Sequence, residues 1–130
     1  MNRDSVVIIP CLKGDAGLLQ GPLKNSALTG GARSYFTEMF EVGSYVELIG
    51  FLITTAHSGT NPTLDVKFQW SPDKKTWIDE GDAFTQVTTT DSMTYKRVTA
   101  NFGKYMRMRL DVGGTADPNY TLSLYIVAKG

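Results

Sequence analysis

One cysteine, one histidine and zero formal net charge leave few kinds of chemistry open to this 130-residue chain. Cys11 has no second cysteine with which to form an internal disulfide, and His57 alone cannot build a histidine-rich metal cluster. Thirteen Lys and Arg balance thirteen Asp and Glu, so there is neither a basic field to attract nucleic acid nor an acidic excess to solvate a tail. No run of about 18 apolar residues could span a bilayer. Asp4, Pro10, Lys13 and Asp15 interrupt the apolar residues where a secretion signal would lie. The expectation is a soluble protein made in the cytoplasm of its host cell, with no nucleic-acid and no membrane partner. The glycines never fall into GxGxxG or GxxxxGKS spacing, which sets phosphate cradling aside.

What the chain does have is a composition that should fold: 42% apolar residues and fourteen aromatics. At this length a single domain buries roughly two-thirds of its unfolded surface. Residues 1–31 read as an N-terminal arm. Apart from Val6, Val7, Ile8 and Ile9 the segment is irregular and glycine-rich, yet Leu12, Leu18, Leu19, Leu23 and Leu28 would be costly to leave in water. Two readings stay open: the arm folds back over its own domain, or it lies across a neighbouring subunit. In either case Val6 to Ile9 could add as a strand to a sheet edge.

From residue 32 to 130 the texture is β. Leu64, Val66, Phe68 and Trp70 alternate with Asp65, Lys67 and Gln69, the period of a half-buried strand. Met106, Met108, Leu110 and Val112 repeat the pattern, as do Tyr120, Leu122, Leu124 and Ile126. Further strands are predicted over 35–42, 44–55, 83–89 and 93–99. In 44–55, Val46, Leu48 and Leu52 alternate with Ile49, Phe51 and Ile53, so the second half is apolar on both faces. That pattern suits a central strand covered on each side, or one whose second face meets a partner. In SPDKKTW, Ser71, Pro72 and Asp73 form a turn between Trp70 and Trp77. The stretch resembles the Asp-box hairpin of sialidases, a structural motif in its own family; the glycine of that motif is missing and only one copy exists. Residues 59–66 and 114–124 share Gly-Thr, a proline and an alternating strand, either equivalent corners of two sheets or a chance echo. With no helix of ten residues in sight, the prediction is an all-β antiparallel sandwich or jelly roll of about seven or eight strands with an extended arm.

The catalytic candidates are thin. Asp79, Glu80 and Asp82 belong to a hairpin and its following turn, where charges face water. His57 lies in the turn-rich HSGTNP, and no serine stands in a nucleophile elbow. Cys11 lacks a basic neighbour to support a thiolate. Asp111 and Asp117 are too few for a calcium ion, which wants six or more oxygens. The reading is a non-enzymatic protein with no cofactor and no metal.

Residues 44–128 resemble a group of small virion proteins of tailed bacteriophages. The resemblance rests on YVELIGFLITTA, then SGTNPTLDVKFQWSPDKKTWIDEGDAFTQV, then YMRMRLDVGGT, and a closing YTLSLYIVAK. It implies a β-sandwich located in the virion, a capsid decoration or auxiliary (cement) protein whose partners are the major capsid protein or other virion proteins and which forms a homo-oligomer. A place at the neck or tail is the neighbouring alternative. Candidate partner-contact residues are Val6, Val7, Ile8, Ile9, Leu12, Leu18, Leu19 and Leu23 in the arm, with Ile49, Phe51 and Ile53 in the domain. The rival reading is a carbohydrate-binding module that takes host-surface glycans through Trp77 or Tyr125.

Overall fold

The structure is a computed structural model that describes residues 5–13, 19–81, 83–88, 92–99 and 103–130. Leu18 and Asp82, both singled out above, fall outside the described residues, as does the side chain of Leu19. The strands are β1 (Ser5–Ile8), β2 (Cys11–Lys13), β3 (Leu19–Pro22), β4 (Ser26–Leu28), β5 (Arg33–Thr37), β6 (Phe40–Glu41), β7 (Glu47–Ser71), β8 (Ile78–Asp79), β9 (Ser92–Thr99) and β10 (Tyr105–Lys129). All described pairings are antiparallel.

The frame is the pair β7 and β10, which run side by side from Glu47–Lys129 to Ser71–Tyr105. At about 3.3 Å per residue, Gly50 and Phe68 on one straight strand would stand about 60 Å apart. Instead a Cβ placed on Gly50 would come within 3.3 Å of the Phe68 ring and 2.5 Å of the Phe84 ring. The paired strands therefore fold over on themselves and form two layers. The first layer holds the first half of β7 and the second half of β10, flanked by β9 on one side and by β1 and β4 on the other. In the second, the remaining halves pair with β8, β5 and β6, and the sheet continues through β2 to β3.

The fold-over is built from the two Gly-Thr stretches. Gly59 and Asn61 have φ of +99° and +48°; Gly114, Ala116 and Asp117 have +117°, +59° and +54°. A Cβ on Gly59 would lie 2.7 Å from the Pro118 Cα, and one on Gly114 3.0 Å from the Pro62 Cα. Each glycine thus makes room for the other segment's proline. The echo in the sequence is neither chance nor two separate corners: Thr60 pairs with Thr115, and the two segments form one reciprocal corner.

The alternating residues fill the space between layers. Leu64, Val66, Phe68, Met106, Met108 and Leu110 from one layer meet Leu48, Leu52, Tyr120, Leu122, Leu124 and Ile126 from the other, all essentially without exposure. Trp70 joins them, its indole N–H donating to Glu80 Oε2 at 2.8 Å and its ring stacked on Phe68. Val46, counted among the alternating residues above, precedes β7 and is exposed.

The described strands of the N-terminal segment pair with the rest of the same chain. Ser5–Ile8 adds to the edge of β10 opposite Ile126–Lys129, and Ser26–Leu28 pairs with Tyr120–Leu122. The Leu124 N–H donates to the Leu23 carbonyl, and Leu23 and Leu28 are fully buried. Two predicted strands change. The one over 35–42 breaks into β5 and β6, with Glu38 and Met39 between them. Over 83–89, only a single bridge, Leu64 with Val87, forms among the described residues. Phe84 and Val87 are both buried, and a spacing of three cannot aim two side chains the same way in a regular strand.

Candidate interaction faces

The layers leave two broad outer faces with opposite chemistry. On the first layer, cross-strand register aligns Met93, Ile53 and Ser123 in one row. Tyr95, Phe51 and Tyr125 form the next, and Arg97, Ile49, Val127 and Val7 the third. Met93, Tyr95 and Val7 are 69%, 68% and 61% exposed; Ile49, Phe51, Ile53, Tyr125 and Val127 are half-buried by their neighbours. The rings of Phe51 and Tyr95 sit 6.3 Å apart. A polar rim closes one end. Arg97 donates through Nε and Nη2 to Glu47 Oε2 at 2.9 and 2.7 Å, and Lys129 lies 3.6 Å from Glu47 Oε1. The bond from Arg97 holds the Glu47 carboxyl below its ordinary value.

The other outer face is a charged ladder. Arg109 reaches Asp111 at 3.0 Å and Asp79 at 3.5 Å, while Lys67 stands 3.8 Å from Asp79 and 3.9 Å from Asp111. Gln69 donates to Asp79 and accepts from Arg107 Nε at 2.7 Å. That bond from Gln69, more than the cations, keeps Asp79 below the usual carboxylate range. The Arg107 guanidinium lies 4.4 Å from the ring centres of both Phe36 and Trp77, a pair of cation–π contacts. Below this face the SPDKKTW turn is tied by its own side chains. Asp73 Oδ1 accepts from the backbone N–H of Lys75 and Thr76, and Ser71 Oγ from those of Asp73 and Lys74. The two bonds from the backbone lower the Asp73 carboxyl to about 2.

The predicted contact residues separate on these surfaces. Val7, Ile49, Phe51 and Ile53 share the apolar face. Val6 is exposed on β1, Ile9 is half-buried just past it, and Ile8 packs against the core. Leu12 and Leu23 belong to the core itself. Met93 and Val127 share this face but were not singled out from the sequence: the polar Thr94 and Lys96 beside Met93 give no alternation to read, whereas Val127 continues the alternation of 120–126 and its outward side could have been read from it. The two glycan candidates lie on opposite faces, Tyr125 among the apolar rows and Trp77 against Arg107.

The reactive groups are occupied structurally. Asp79 and Glu80 hold Gln69 and Trp70, Asp111 accepts from the Ser34 hydroxyl and Arg109, and exposed His57 stacks on Tyr120. Partial burial, then the Glu38 carboxylate, raise the Cys11 thiol above its ordinary value, the opposite of an activated nucleophile. Among the described residues no three His, Cys, Asp or Glu side chains cluster to hold a metal. A cleft of about 150 Å3 beside Leu12, Lys13, Gln20, Arg33 and Tyr35 is small for a ligand pocket.

No protein-family model matches the chain, and no curated protein does. Solved structures share its architecture. The SPBc2 prophage-derived protein YomS aligns over 100% of this chain and 96% of its own, with a TM-score of 0.50 and 10% identity. XepA, an exported protein of PBSX, aligns over 92% of this chain at a TM-score of 0.60 and 16% identity; the chain spans 43% of its length. VP2 of infectious bursal disease virus, solved as a subviral particle, reaches 0.64 over 98% of this chain with 14% identity, and here the chain spans 32%. At such identities the likeness is one of fold: this chain is an all-β protein with an architecture found in a prophage-derived protein, an exported protein and a subviral particle.

Proposed function

We propose that the chain is a non-enzymatic structural protein of a tailed-phage virion, a capsid decoration or cement protein whose outer apolar face docks on the major capsid protein or another virion protein. The observation that carries this is the row structure around Phe51. Three exposed apolar residues and five half-buried ones form one continuous surface, and contiguous exposed apolar patches on soluble proteins mark interaction sites. The Glu47–Arg97–Lys129 cluster supplies the polar rim such interfaces carry. The fold shared with prophage-derived proteins and a subviral particle supports the same reading.

The test is incorporation. Virions purified on a density gradient from lysates of the source phage are probed with antibody for the chain, wild type or carrying Met93→Asp and Tyr95→Asp. Both positions are exposed, so the variant keeps its circular-dichroism spectrum and melting temperature. The wild type is expected to co-sediment with particles, and the variant to remain in the soluble fraction. Absence of the wild-type chain from particles overturns the virion assignment; full incorporation of the variant removes this face from it.

A further inference from the structure

We propose that the charged face is a binding site for an acidic glycan, with the Arg107 guanidinium taking a carboxylate or phosphate group of the sugar. The site lies on the face opposite the apolar rows, so the inference goes beyond the docking reading above and does not depend on it. Arg107 is held on three sides. Its Nε donates to Gln69 Oε1 at 2.7 Å, and its guanidinium centre stands 4.4 Å from the ring centres of both Phe36 and Trp77. Arg109 and Lys67 on the same face each reach the carboxylates of Asp79 and Asp111. Arg107 has no carboxylate within 4 Å among the described residues, and its two terminal nitrogens donate to none of them. Thr94 Oγ1 is the sole buried side-chain atom without a partner among those residues, so the terminal nitrogens of Arg107 are open to solvent.

A guanidinium fixed in this way has given up side-chain freedom and part of its hydration before any ligand arrives. Partial burial, then the charge of Arg109, lower it below the ordinary arginine value. Gln69 donates to Asp79 and accepts from Arg107, and so stands between the cation and the carboxylate that would otherwise neutralise it. The complementary partner is an oxyanion, because the two terminal nitrogens of a guanidinium match a carboxylate or phosphate in bidentate fashion. The surroundings select its carrier. Register places Arg107, Gln69 and Asp79 in one row, with Trp77 against Arg107. The Asp79 side chain, 41% exposed, is placed to accept from sugar hydroxyls. The half-buried indole of Trp77 leaves part of an apolar plane for the C–H face of a sugar ring. A nucleic acid would bring its phosphates against Asp79 and Asp111, and the core of a protein interface is depleted in charged groups.

Binding of the full chain to an array of uronate-, sialate- and phosphate-bearing glycans, printed beside their neutral counterparts, tests the site. The wild type is expected to bind acidic members and to pass over neutral ones, and the acid bound best identifies carboxylate or phosphate as the group read. Arg107→Lys keeps the charge and removes the fork, and is expected to weaken binding at least about tenfold. Because Arg107 also packs on Phe36 and Trp77, the wild-type chain is titrated in parallel with glucuronate and with glucose 6-phosphate by NMR. The Arg107 Nε–H and Trp77 indole signals are expected to move together with at least one of the two. A chain that binds no glycan on the array overturns the proposal, as do neutral glycans bound as tightly as acidic ones. Full affinity in Arg107→Lys, or NMR shifts confined to other residues, overturns it equally.

Discussion

The two outer faces of the sandwich come from the same two strands and share none of their chemistry. On β7 the outward residues are Ile49, Phe51 and Ile53 in one layer and Asp65, Lys67 and Gln69 in the other. On β10 they are Tyr125 and Val127 against Arg107, Arg109 and Asp111. Inward positions are apolar in both halves, because a common core demands it. Outward positions carry no such demand, so they record what each face meets. The carboxylates of the charged face are satisfied: Asp79 and Asp111 are bonded to Gln69, Ser34 or a cation on the same surface, and Asp65 accepts from Gln86 Nε2. On the apolar face Met93 and Tyr95 stay 69% and 68% exposed, with the Tyr95 ring 6.3 Å from that of Phe51.

The comparison can be broken from beneath. The layer that carries the apolar rows is completed by Ser5–Ile8 and Ser26–Leu28, and Leu23→Ala, at a fully buried position, is expected to cost about 2–5 kcal/mol in urea unfolding. A loss under about 1 kcal/mol would mean that the segment rests on the layer without being part of it. A smaller effect tests how closely the faces are held back to back. Gly50→Ala puts a Cβ 2.5 Å from Phe84 and is expected to cost about 1–3 kcal/mol by the same assay. The smallest effect sharpens the electrostatic side. Asp73, Asp79 and Glu47 all titrate lower in the folded chain than unfolded. Their contribution is therefore complete above the ordinary carboxylate range and is lost as pH falls through the folded values, down to about 2 for Asp73. The urea midpoint is expected to drop between pH 5 and pH 2.5, and less steeply in Asp73→Asn. Exposed ion pairs such as Arg109 with Asp79 add under about 1 kcal/mol; an unchanged midpoint across that range would remove the three carboxylates from the stability account.

Much of the core was legible in the residues. The alternation at 64–70, 106–112 and 120–126 names the inward side chains correctly, because period two leaves no other way to bury them. Ile49, Phe51 and Ile53 stood out by breaking that rule. Other features need three dimensions. Nothing local shows that β7 and β10 run unbroken past the positive-φ residues at 59–61 and 114–117, since glycine, asparagine and aspartate there read as ordinary loop ends. Phe84 and Val87 enter the core from an irregular segment that mimics a strand in composition. The N-terminal segment lacks periodicity because its short strands each meet a different neighbour, β10, β5 or β3.

The reciprocal corner of Gly59–Pro118 and Gly114–Pro62 has a consequence for how the chain reaches this structure. The two strands it joins can meet only after the segment between them has been looped out, since the innermost pair, Ser71 with Tyr105, already encloses residues 72–104. Closing that loop precedes most of the rewarding contacts, which places the protein among slow, topology-limited folders that fold in milliseconds to seconds. Each half-layer of the frame exists only when its counterpart on the other strand is present. Refolding is therefore expected to be a race between zipping this long ladder through its corner and losing the exposed strands to other copies.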